Sequence, residues 1–457
     1  MKGLSRMTLQ ASLLSRLNDP KLSHDQRAEL LCELAKEREE YGDYEGARQA
    51  LGGLWQRVGE RPKIEGLERN TSAEVLLRAG VLTGWIGSKQ QITDAQETAK
   101  NLISESISIF ESSGHTKKVS EAQIDLAYCY WREGAYDEAR DVLKDALSRI
   151  SIDSELKAKA ILRSAIVERG AARYKEALRI LTNNAPLFEK VKSHTIKGGF
   201  HNALAGVLED LGASEKKQSY IDRAFVEYAA AAYHFEQAGH KTYRANVENN
   251  LGFLFFKVGK FKEAHEHLNY ARRLLMYLKD SCGVAQVNET RARVFLAEGH
   301  NSDAERAAGA AVRTLENSGQ QALLAEALIS HATALARLGY YNQSRSTFQR
   351  AVGVAQMAGA LNRAQDAAQR MAEELGERLD TEAPAIAGSV LDEEMRRHER
   401  ELIRQALEKA QGSVTQAARL LGITHQRLIY LLERRHKDLD PFRTPAKRRP
   451  KSFTKRK

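Results

Sequence analysis

The residues whose types and spacing suggest chemistry lie near the C-terminal end of the chain. The run from Ser413 to Gln416 is an S/T-x-x-E/Q capping box, which predicts that a helix starts at Ser413. Gly422 follows as a left-handed helix stop, and a second helix comes after it. Ala418, four residues before this glycine, and Leu428, six residues after it, are the small and apolar residues that a tight helix crossing requires. The pattern predicts a DNA-binding helix-turn-helix.

The positive charge of the chain is concentrated behind this motif. The formal net charge is +10, and residues 443–457 contain eight basic residues and no acidic one. A local basic arm is typical of a polyanion partner, although such tails also serve as solubilising segments or bind RNA or acidic lipid. Because this arm directly follows the predicted helix-turn-helix, we expect a disordered tail, residues 441–457, that contacts DNA phosphates.

Residues 391–435 resemble the helix-turn-helix of the Fis family, which is shared with the DNA-binding domains of NtrC-type activators. The agreement in spacing and residue type is continuous from Glu401 to Thr424. The resemblance implies a dimer formed through the preceding helix, with two recognition helices in successive major grooves of a nearly palindromic site. The family's phosphate-contacting and DNA-facing positions correspond here to Ser413, Thr415, Thr424, His425, Arg427 and Tyr430.

Base recognition is expected from the second helix of the motif. Arg427 suits bidentate recognition of guanine, and His425 or Gln426 is placed to contact a base edge. The chain departs from the family at residues 429–431, where Ile-Tyr-Leu stands in place of the usual basic residues. The basic residues beyond the helix are expected to compensate. The complete predicted DNA-contacting set is Ser413, Thr415, Gln416, Thr424, His425, Gln426, Arg427, Tyr430, Arg434, Arg435, Lys447, Arg448 and Arg449.

Motifs of other function classes are missing from the sequence. It has no G-x-x-x-x-G-K-[ST] loop, so the ATPase step of NtrC-type activators is not expected. It also lacks the hydrolase and metalloprotease signatures, and its three cysteines form no zinc or disulfide pattern. No secretory signal or apolar run of 18 residues occurs. We therefore expect a cytoplasmic, nucleoid-associated protein that is not an enzyme and needs no cofactor or metal.

The rest of the chain is built from a repeat. From Ile124 to Leu147, Leu126-Ala127 precedes an aromatic residue, and a glycine, an alanine, a large residue and a second alanine follow. The segment resembles a tetratricopeptide repeat, in which small residues let two antiparallel helices approach closely. Strong helix formers dominate residues 1–380, and these contain only three of the seven prolines. The predicted fold is all-α.

The same frame recurs eight times along the chain. Its first small residue occurs at Ala35, Gly80, Ala127, Ala165, Ala205, Gly252, Ala292 and Ala332. The second small residue follows at Ala47, Ala99, Ala139, Ala177, Ala224, Ala264, Ala304 and Ser344, with an extension between the helices in copies two and five. We expect a tetratricopeptide-repeat superhelix of about eight helix pairs over residues 1–375, a linker over 376–390 and a Fis-like domain over 391–440.

The concave surface of such a superhelix is lined mainly by the first helix of each pair. Six residues are predicted to project towards this groove and to bind a protein, a peptide or a small ligand, the alternative being that they belong to the core between repeats. They are Tyr128, Trp131, Asn202, Asn249, Phe253 and Phe256.

Together these features predict a sequence-specific transcription regulator that binds double-stranded DNA as a homodimer and a protein or peptide partner in its repeat groove. Two alternatives remain open. One is a repeat-based scaffold in which the C-terminal domain only dimerises. The other is an architectural DNA-binding protein with little sequence preference, which the apolar residues 429–431 and the basic tail favour.

Overall fold

The computed structural model contains only helices and connecting segments over the residues it describes. These residues are 2–90, 92, 94–152, 154–316, 318, 320–358, 360–379, 389–423, 428–429, 431–432 and 436–442. The chain forms two compact units, residues 1–375 and 376–457, each with its own buried core. In the described part of the chain, no helix is long and apolar enough to span a membrane.

Eight antiparallel helix pairs make up most of the first unit, which confirms the predicted fold class. In chain order the pairs are α2 (His24–Glu40) with α3 (Tyr44–Leu51), α4 (Arg69–Gln90) with α5 (Ala95–Ser112), α6 (Thr116–Arg132) with α7 (Tyr136–Ser148), α8 (Glu155–Gly170) with α9 (Tyr174–Asn183), α11 (His194–Glu215) with α12 (Gln218–Ala238), α13 (Lys241–Lys257) with α14 (Phe261–Tyr277), α15 (Ser281–Glu298) with α16 (Asn301–Leu315), and α17 (Gln321–Arg337) with α18 (Tyr341–Met357).

Three further α-helices flank or interrupt these pairs. Helix α1 (Lys2–Leu17) precedes the first pair, α10 (Ala185–Lys190) separates the fourth and fifth, and α19 (Leu361–Leu379) follows the last. Residues Gly52–Leu54 add one turn of 3₁₀-helix after α3.

The small residues of the repeat explain why the two helices of each pair lie so close together. All sixteen are buried. A Cβ atom added to Gly80 would lie 2.7 Å from Ile103 Cγ1, and one added to Gly252 would lie 2.6 Å from Leu268 Cγ. Such distances are far below van der Waals contact, so these positions in α4 and α13 have no room for a side chain.

The extensions in copies two and five lie mainly within the first helix of each pair, whereas the sequence pattern predicted them between the two helices. Helices α4 and α11 each contain 22 residues, and the other first helices contain 16 to 18. The inserted residues are good helix formers, so they continue the first helix by more than one turn.

The superhelix brings its first repeat into contact with its sixth. The hydroxyl oxygens of Tyr44 on α3 and Tyr243 on α13 lie 3.4 Å apart. Gly42, just before α3, is so close to His240 that an added Cβ would lie 2.7 Å from the imidazole Cε1. The Lys159 Nζ atom on α8 also lies 3.8 Å from Glu40 Oε1 on α2. The helix pairs between these contacts therefore surround a central space.

The second unit contains α20 (Ser389–Lys409), α21 (Val414–Leu420) and a 3₁₀ segment, Lys437–Phe442. Its core is apolar and includes Ile403 and Leu407 of α20, Ala417 and Ala418 of α21, and Leu432. Helices α19 and α20 cover the first four and last two residues of the predicted linker 376–390, because the helical pattern continues past Leu375 and begins again at Ser389.

Candidate DNA-binding unit and ligand cavity

The turn between α20 and α21 has the geometry that its sequence predicts. Gly412 has φ +80° and ends the α20 segment, and Ser413 caps α21 by accepting a hydrogen bond from the Gln416 backbone N–H at 3.5 Å. The side chains of Thr415 and Gln416 are exposed. Gly422 has φ +66°, a left-handed conformation that costs glycine little and other residues more.

The interior of this unit is small and apolar. Ala417 and Ala418 are buried against α20, and Leu428 and Leu432 are fully buried, which confirms the inward-facing positions predicted for the second helix of the motif. Beyond these leucines, the imidazole of His436 lies 2.9 Å from a carboxylate oxygen of Glu399 on α20. This contact joins the end of the unit to its first helix, and nothing in the sequence pattern indicated it.

Most of the predicted DNA-contacting residues lie outside the described residues. Ser413, Thr415 and Gln416 are described, and they occupy the start of α21. The remaining members of the set, which lie outside the described part, are Thr424, His425, Gln426, Arg427, Tyr430, Arg434, Arg435, Lys447, Arg448 and Arg449.

The central space of the superhelix is a cavity of about 730 Å³. Six first helices contribute to its wall, from α2 to α13, together with Tyr44, Tyr174 and Phe235 from second helices. Its volume falls within the range of roughly 300–1,000 Å³ that is typical of ligand sites. The contact between Tyr44 and Tyr243 lies in this wall, so the cavity is complete only when the sixth repeat meets the first.

Stacked aromatic rings form one side of the cavity. Tyr44 stacks on Trp85 with ring centroids 4.8 Å apart, Trp85 lies 4.9 Å from Tyr128, and Tyr128 stacks on Trp131 at 4.9 Å. The guanidinium of Arg163 lies over the Tyr128 ring, 3.8 Å from its centroid. Such cation–π contacts hold a guanidinium in a fixed orientation next to the space.

A buried ionic network lies beside the cavity. Arg78 is 1% exposed, and its guanidinium lies 2.9 Å from Glu39, 3.4 Å from Glu74 and 3.2 Å from Glu121. Burial raises the pKa of Glu39 to about 7, despite the opposing effect of Arg78. Burial also acts to raise the pKa of Glu121, but Arg78 and its neighbouring lysines outweigh it and lower that pKa to about 2.

Two charged groups in the cavity wall lack a direct polar partner among the described residues. Asp125 on α6 and Arg163 on α8 both line the space, and neither makes an ion pair or a conventional hydrogen bond within this part of the chain. Burial raises the pKa of the Asp125 carboxyl against the opposing effects of Arg78 and Arg163, and nearby Glu121 acts in the same direction as burial. The other wall charges have direct polar contacts, as when Arg169 Nε donates to Asp210 at 2.6 Å and the Ser193 backbone N–H donates to Glu155 at 2.9 Å.

Three of the six predicted groove residues line this cavity, namely Tyr128, Trp131 and Asn202. The other three, Asn249, Phe253 and Phe256, do not. The wall takes only the first turns of α13, through Tyr243 and Asn246, because the superhelix closes there. Farther along α13, Phe253 and Phe256 pack against each other at 5.8 Å, and Phe256 also packs against the core.

The sequence contains a signal for the charged wall residues. Arg78, Asp125 and Arg163 each stand two residues before the first small residue of their repeat, in copies two, three and four. Equivalent positions of stacked repeats lie side by side, so alternating charges at this position indicate one electrostatically connected row. The predicted groove residues are all aromatic or amide side chains, so the prediction did not include this row.

Comparison with known proteins agrees with both folds. Residues 394–434 match the Fis family of bacterial regulatory proteins. The match covers α20 from its sixth residue onwards, all of α21 and the buried Leu428 and Leu432. This segment is therefore a Fis-family helix-turn-helix. The chain has no significant match among curated protein sequences.

Several solved tetratricopeptide-like superhelices are similar to the chain. A Rap protein solved with the Competence and Sporulation Factor has 13% identity and a TM-score of 0.51, over 80% of this chain and 93% of that one. The human IFIT1 dimer with PPP-AAAA has 12% identity and a TM-score of 0.52, over 80% and 78%. The apo quorum sensor NprR from B. thuringiensis has 11% identity and a TM-score of 0.50, over 77% and 93%. At these identities the likeness establishes the repeat fold.

Proposed function

We propose that the chain is a sequence-specific DNA-binding transcription regulator whose repeat domain binds a protein, peptide or small ligand. The observation that carries the proposal is the Fis-family match over residues 394–434, which falls on a helix-turn-helix with a buried apolar core. The proposed role is regulatory and non-enzymatic.

The DNA contacts follow from the positions of the motif. Ser413 caps α21, and Thr415 is exposed beside it, so both stand where a helix N-terminus favours a phosphate. We assign base recognition to Arg427 with His425 or Gln426, because a guanidinium reads guanine and an imidazole or amide reads a base edge. The eight basic residues of 443–457 supply contacts that do not depend on sequence.

A homodimer on a nearly palindromic site is part of the proposal. Two leucines of this unit support it, since Leu402 on α20 is 45% exposed and Leu420 at the end of α21 is 60% exposed. Exposed large apolar side chains on a small domain are typical of an association surface. Because its partner is DNA, we place the protein in the cytoplasm, associated with the nucleoid. Its proposed organisation is a superhelix over 1–375, a linker over 376–390, the Fis-like domain over 391–440 and the tail over 441–457.

The cavity supports the ligand-binding part of the proposal. Superhelices of this fold have been solved with the Competence and Sporulation Factor in one case and with PPP-AAAA in another. The present cavity is comparable in size with ordinary ligand sites, and three of the predicted groove residues line it. Ligand binding there is the proposed input, and DNA binding is the output.

The test is selection of DNA fragments from a random pool by the full chain at about 150 mM salt, since affinity for DNA depends steeply on salt. A shared, nearly palindromic motif supports the proposal. Retention without a shared motif favours the architectural alternative, and no retention favours the scaffold.

Two variants then separate specific from general contacts. Arg427→Ala is expected to weaken the selected site by about 1–3 kcal/mol and to leave unrelated DNA unaffected. Deletion of residues 443–457 is expected to weaken all DNA and to reduce the salt slope by several units, at about 0.9 per lost phosphate contact. Arg179→Ala, at an exposed arginine of α9, is the matched control. If none of these changes alters DNA affinity, the assignment of the site is wrong.

A further inference from the structure

The chemistry of the cavity wall restricts what the cavity can hold. The wall contains five carboxylates and three basic side chains. Lys159, Arg163 and Arg169 are the basic ones. Arg169 pairs with Asp210, Lys159 lies 3.8 Å from Glu40, and Glu39 contacts Arg78 outside the wall, so the remaining wall charges are Asp125 and Glu155 against Arg163. A ligand with several phosphates would therefore face an excess of negative charge in a poorly solvated space, which is strongly unfavourable. A ligand that carries positive charge is favoured.

Two charged wall residues without a direct partner indicate that the ligand carries both a positive and a negative group. Asp125 and Arg163 stand at equivalent positions of neighbouring repeats, where Arg163 acts to lower the pKa of Asp125. Neither side chain makes a direct ion pair or a conventional hydrogen bond among the described residues. The carboxylate of Asp125 calls for an ammonium or guanidinium group. The guanidinium of Arg163 lies over the Tyr128 ring, and guanidinium N–H groups form the fork that a carboxylate fits.

Neutral groups of the wall match the remainder of such a ligand. The side chains of Asn202 and Asn246 line the space, and each amide offers a donor and an acceptor together, as a peptide bond does. The stacked Trp85, Tyr128 and Trp131 offer apolar surface. The volume of about 730 Å³ is larger than a single amino acid needs.

Resting on the ligand-binding part of the proposed function, we propose that the cavity binds a short basic peptide whose positive group pairs with Asp125 and whose carboxylate pairs with Arg163. The bound peptide replaces the missing partners of both side chains.

The test begins with the full chain and four probes. Three are pentapeptide pools with free termini, containing either a lysine or arginine, an aspartate or glutamate, or only neutral side chains, and the fourth is PPP-AAAA RNA. Peptides retained with the protein are identified by mass spectrometry, and RNA retention is measured by filter binding. Preferential retention of the basic pool supports the inference.

Two isosteric or near-isosteric variants locate the contacts. Asp125→Asn is expected to lower affinity for the best basic peptide about ten- to a hundredfold, the usual effect of losing a charge-assisted hydrogen bond. The fold is expected to tolerate this change, because asparagine has nearly the same size and shape as aspartate. Arg163→Gln is expected to have a similar effect, and amidating the peptide C-terminus is expected to weaken binding to the unchanged chain but not further to Arg163→Gln.

The controls are Asp137→Asn and Arg179→Gln, which remove exposed charges on second helices away from the cavity wall. Both are expected to leave affinity unchanged, as measured by calorimetry. Preference for the acidic or neutral pool, or competition by PPP-AAAA, overturns the inference while leaving a ligand-binding repeat domain in place. Retention of none of the four probes overturns the inference and the peptide alternative within the proposed function, whereas the DNA selection decides the DNA-binding part.

Discussion

Replacement of the buried Arg78 by methionine tests the ionic network beside the cavity. The change keeps much of the side-chain volume and removes a guanidinium that contacts three carboxylates. Glu121 and Glu74 retain lysine partners, since Lys36 lies 2.5 Å from Glu121 and Lys118 lies 2.6 Å from Glu74. Glu39 loses its close cation, so the cost of the substitution is largely that of one uncompensated buried carboxylate.

The expected loss is about 3–5 kcal/mol of unfolding free energy at pH 8, the usual cost of breaking a buried pair by removing one partner. With a urea m-value near 3 kcal/mol/M, this corresponds to a fall of roughly 1–1.7 M in the urea midpoint. The midpoint is measured by circular dichroism for the unchanged chain and the variant.

The loss should depend on pH in a defined direction. The pKa of Glu39 is about 7 in the folded chain, above its ordinary value, so its contribution to stability falls as pH rises through that range. Without Arg78 its pKa rises further, and the fall continues to higher pH. At pH 5.5 this carboxyl is protonated in both proteins, so the loss is expected to be smaller than at pH 8 by about 1 kcal/mol or more.

The control is Arg179→Met, which removes an exposed arginine whose ion pair, within the described part of the chain, is with its helical neighbour Glu176. No measurable shift is expected there, because exposed pairs contribute little. A loss from Arg78→Met that is equal at pH 5.5 and pH 8, or larger at pH 5.5, would refute the reasoning about Glu39.

Three further predictions concern other parts of the molecule. Leu432→Ala is expected to lower the unfolding free energy of the small C-terminal unit by about 2–5 kcal/mol and to abolish DNA binding. Gel shift measures the binding, and unchanged DNA affinity would contradict the prediction. Gly252→Val is expected to lower the urea midpoint by an equivalent of about 1–3 kcal/mol, whereas Gly353→Ala, where an added Cβ meets nothing within 4 Å, is expected to have no such effect. The pKa of His234 is lowered to about 4 by burial and by His201 and His194, so the unfolding free energy should fall as pH drops from about 6.5 towards 4. His234→Asn should flatten this fall, and parallel curves of unfolding free energy against pH for the variant and the unchanged chain would refute the prediction.

The helix pairs were predictable from the sequence because their determinants are local. Close approach of two helices requires small side chains at fixed positions, and this requirement leaves a periodic trace such as Ala127 and Ala139. The turn of the helix-turn-helix was predictable for the same reason, since Ser413 and Gly422 act on their own backbone neighbourhood.

The cavity was less predictable because it depends on the curvature of the whole superhelix. Small rotations between repeats accumulate, and the residue at which the turn closes is not encoded in any single repeat. Asn249, Phe253 and Phe256 have the spacing of groove residues, but they follow the point at which Tyr243 meets Tyr44. The burial of Arg78 was unpredictable for a related reason, since it results from packing between repeats.

The contact between Tyr44 and Tyr243 has a consequence for cooperativity. Solenoid proteins usually behave as one-dimensional chains in which each repeat depends only on its neighbours. Here a contact between residues 199 positions apart joins the first repeat to the sixth. The intervening repeats are therefore constrained at both ends. Closing so long a loop costs only about 5 kcal/mol when its chain is flexible and less once the repeats between are ordered. We therefore expect the first six repeats to unfold together and the seventh and eighth to open at lower energy, which hydrogen exchange measures.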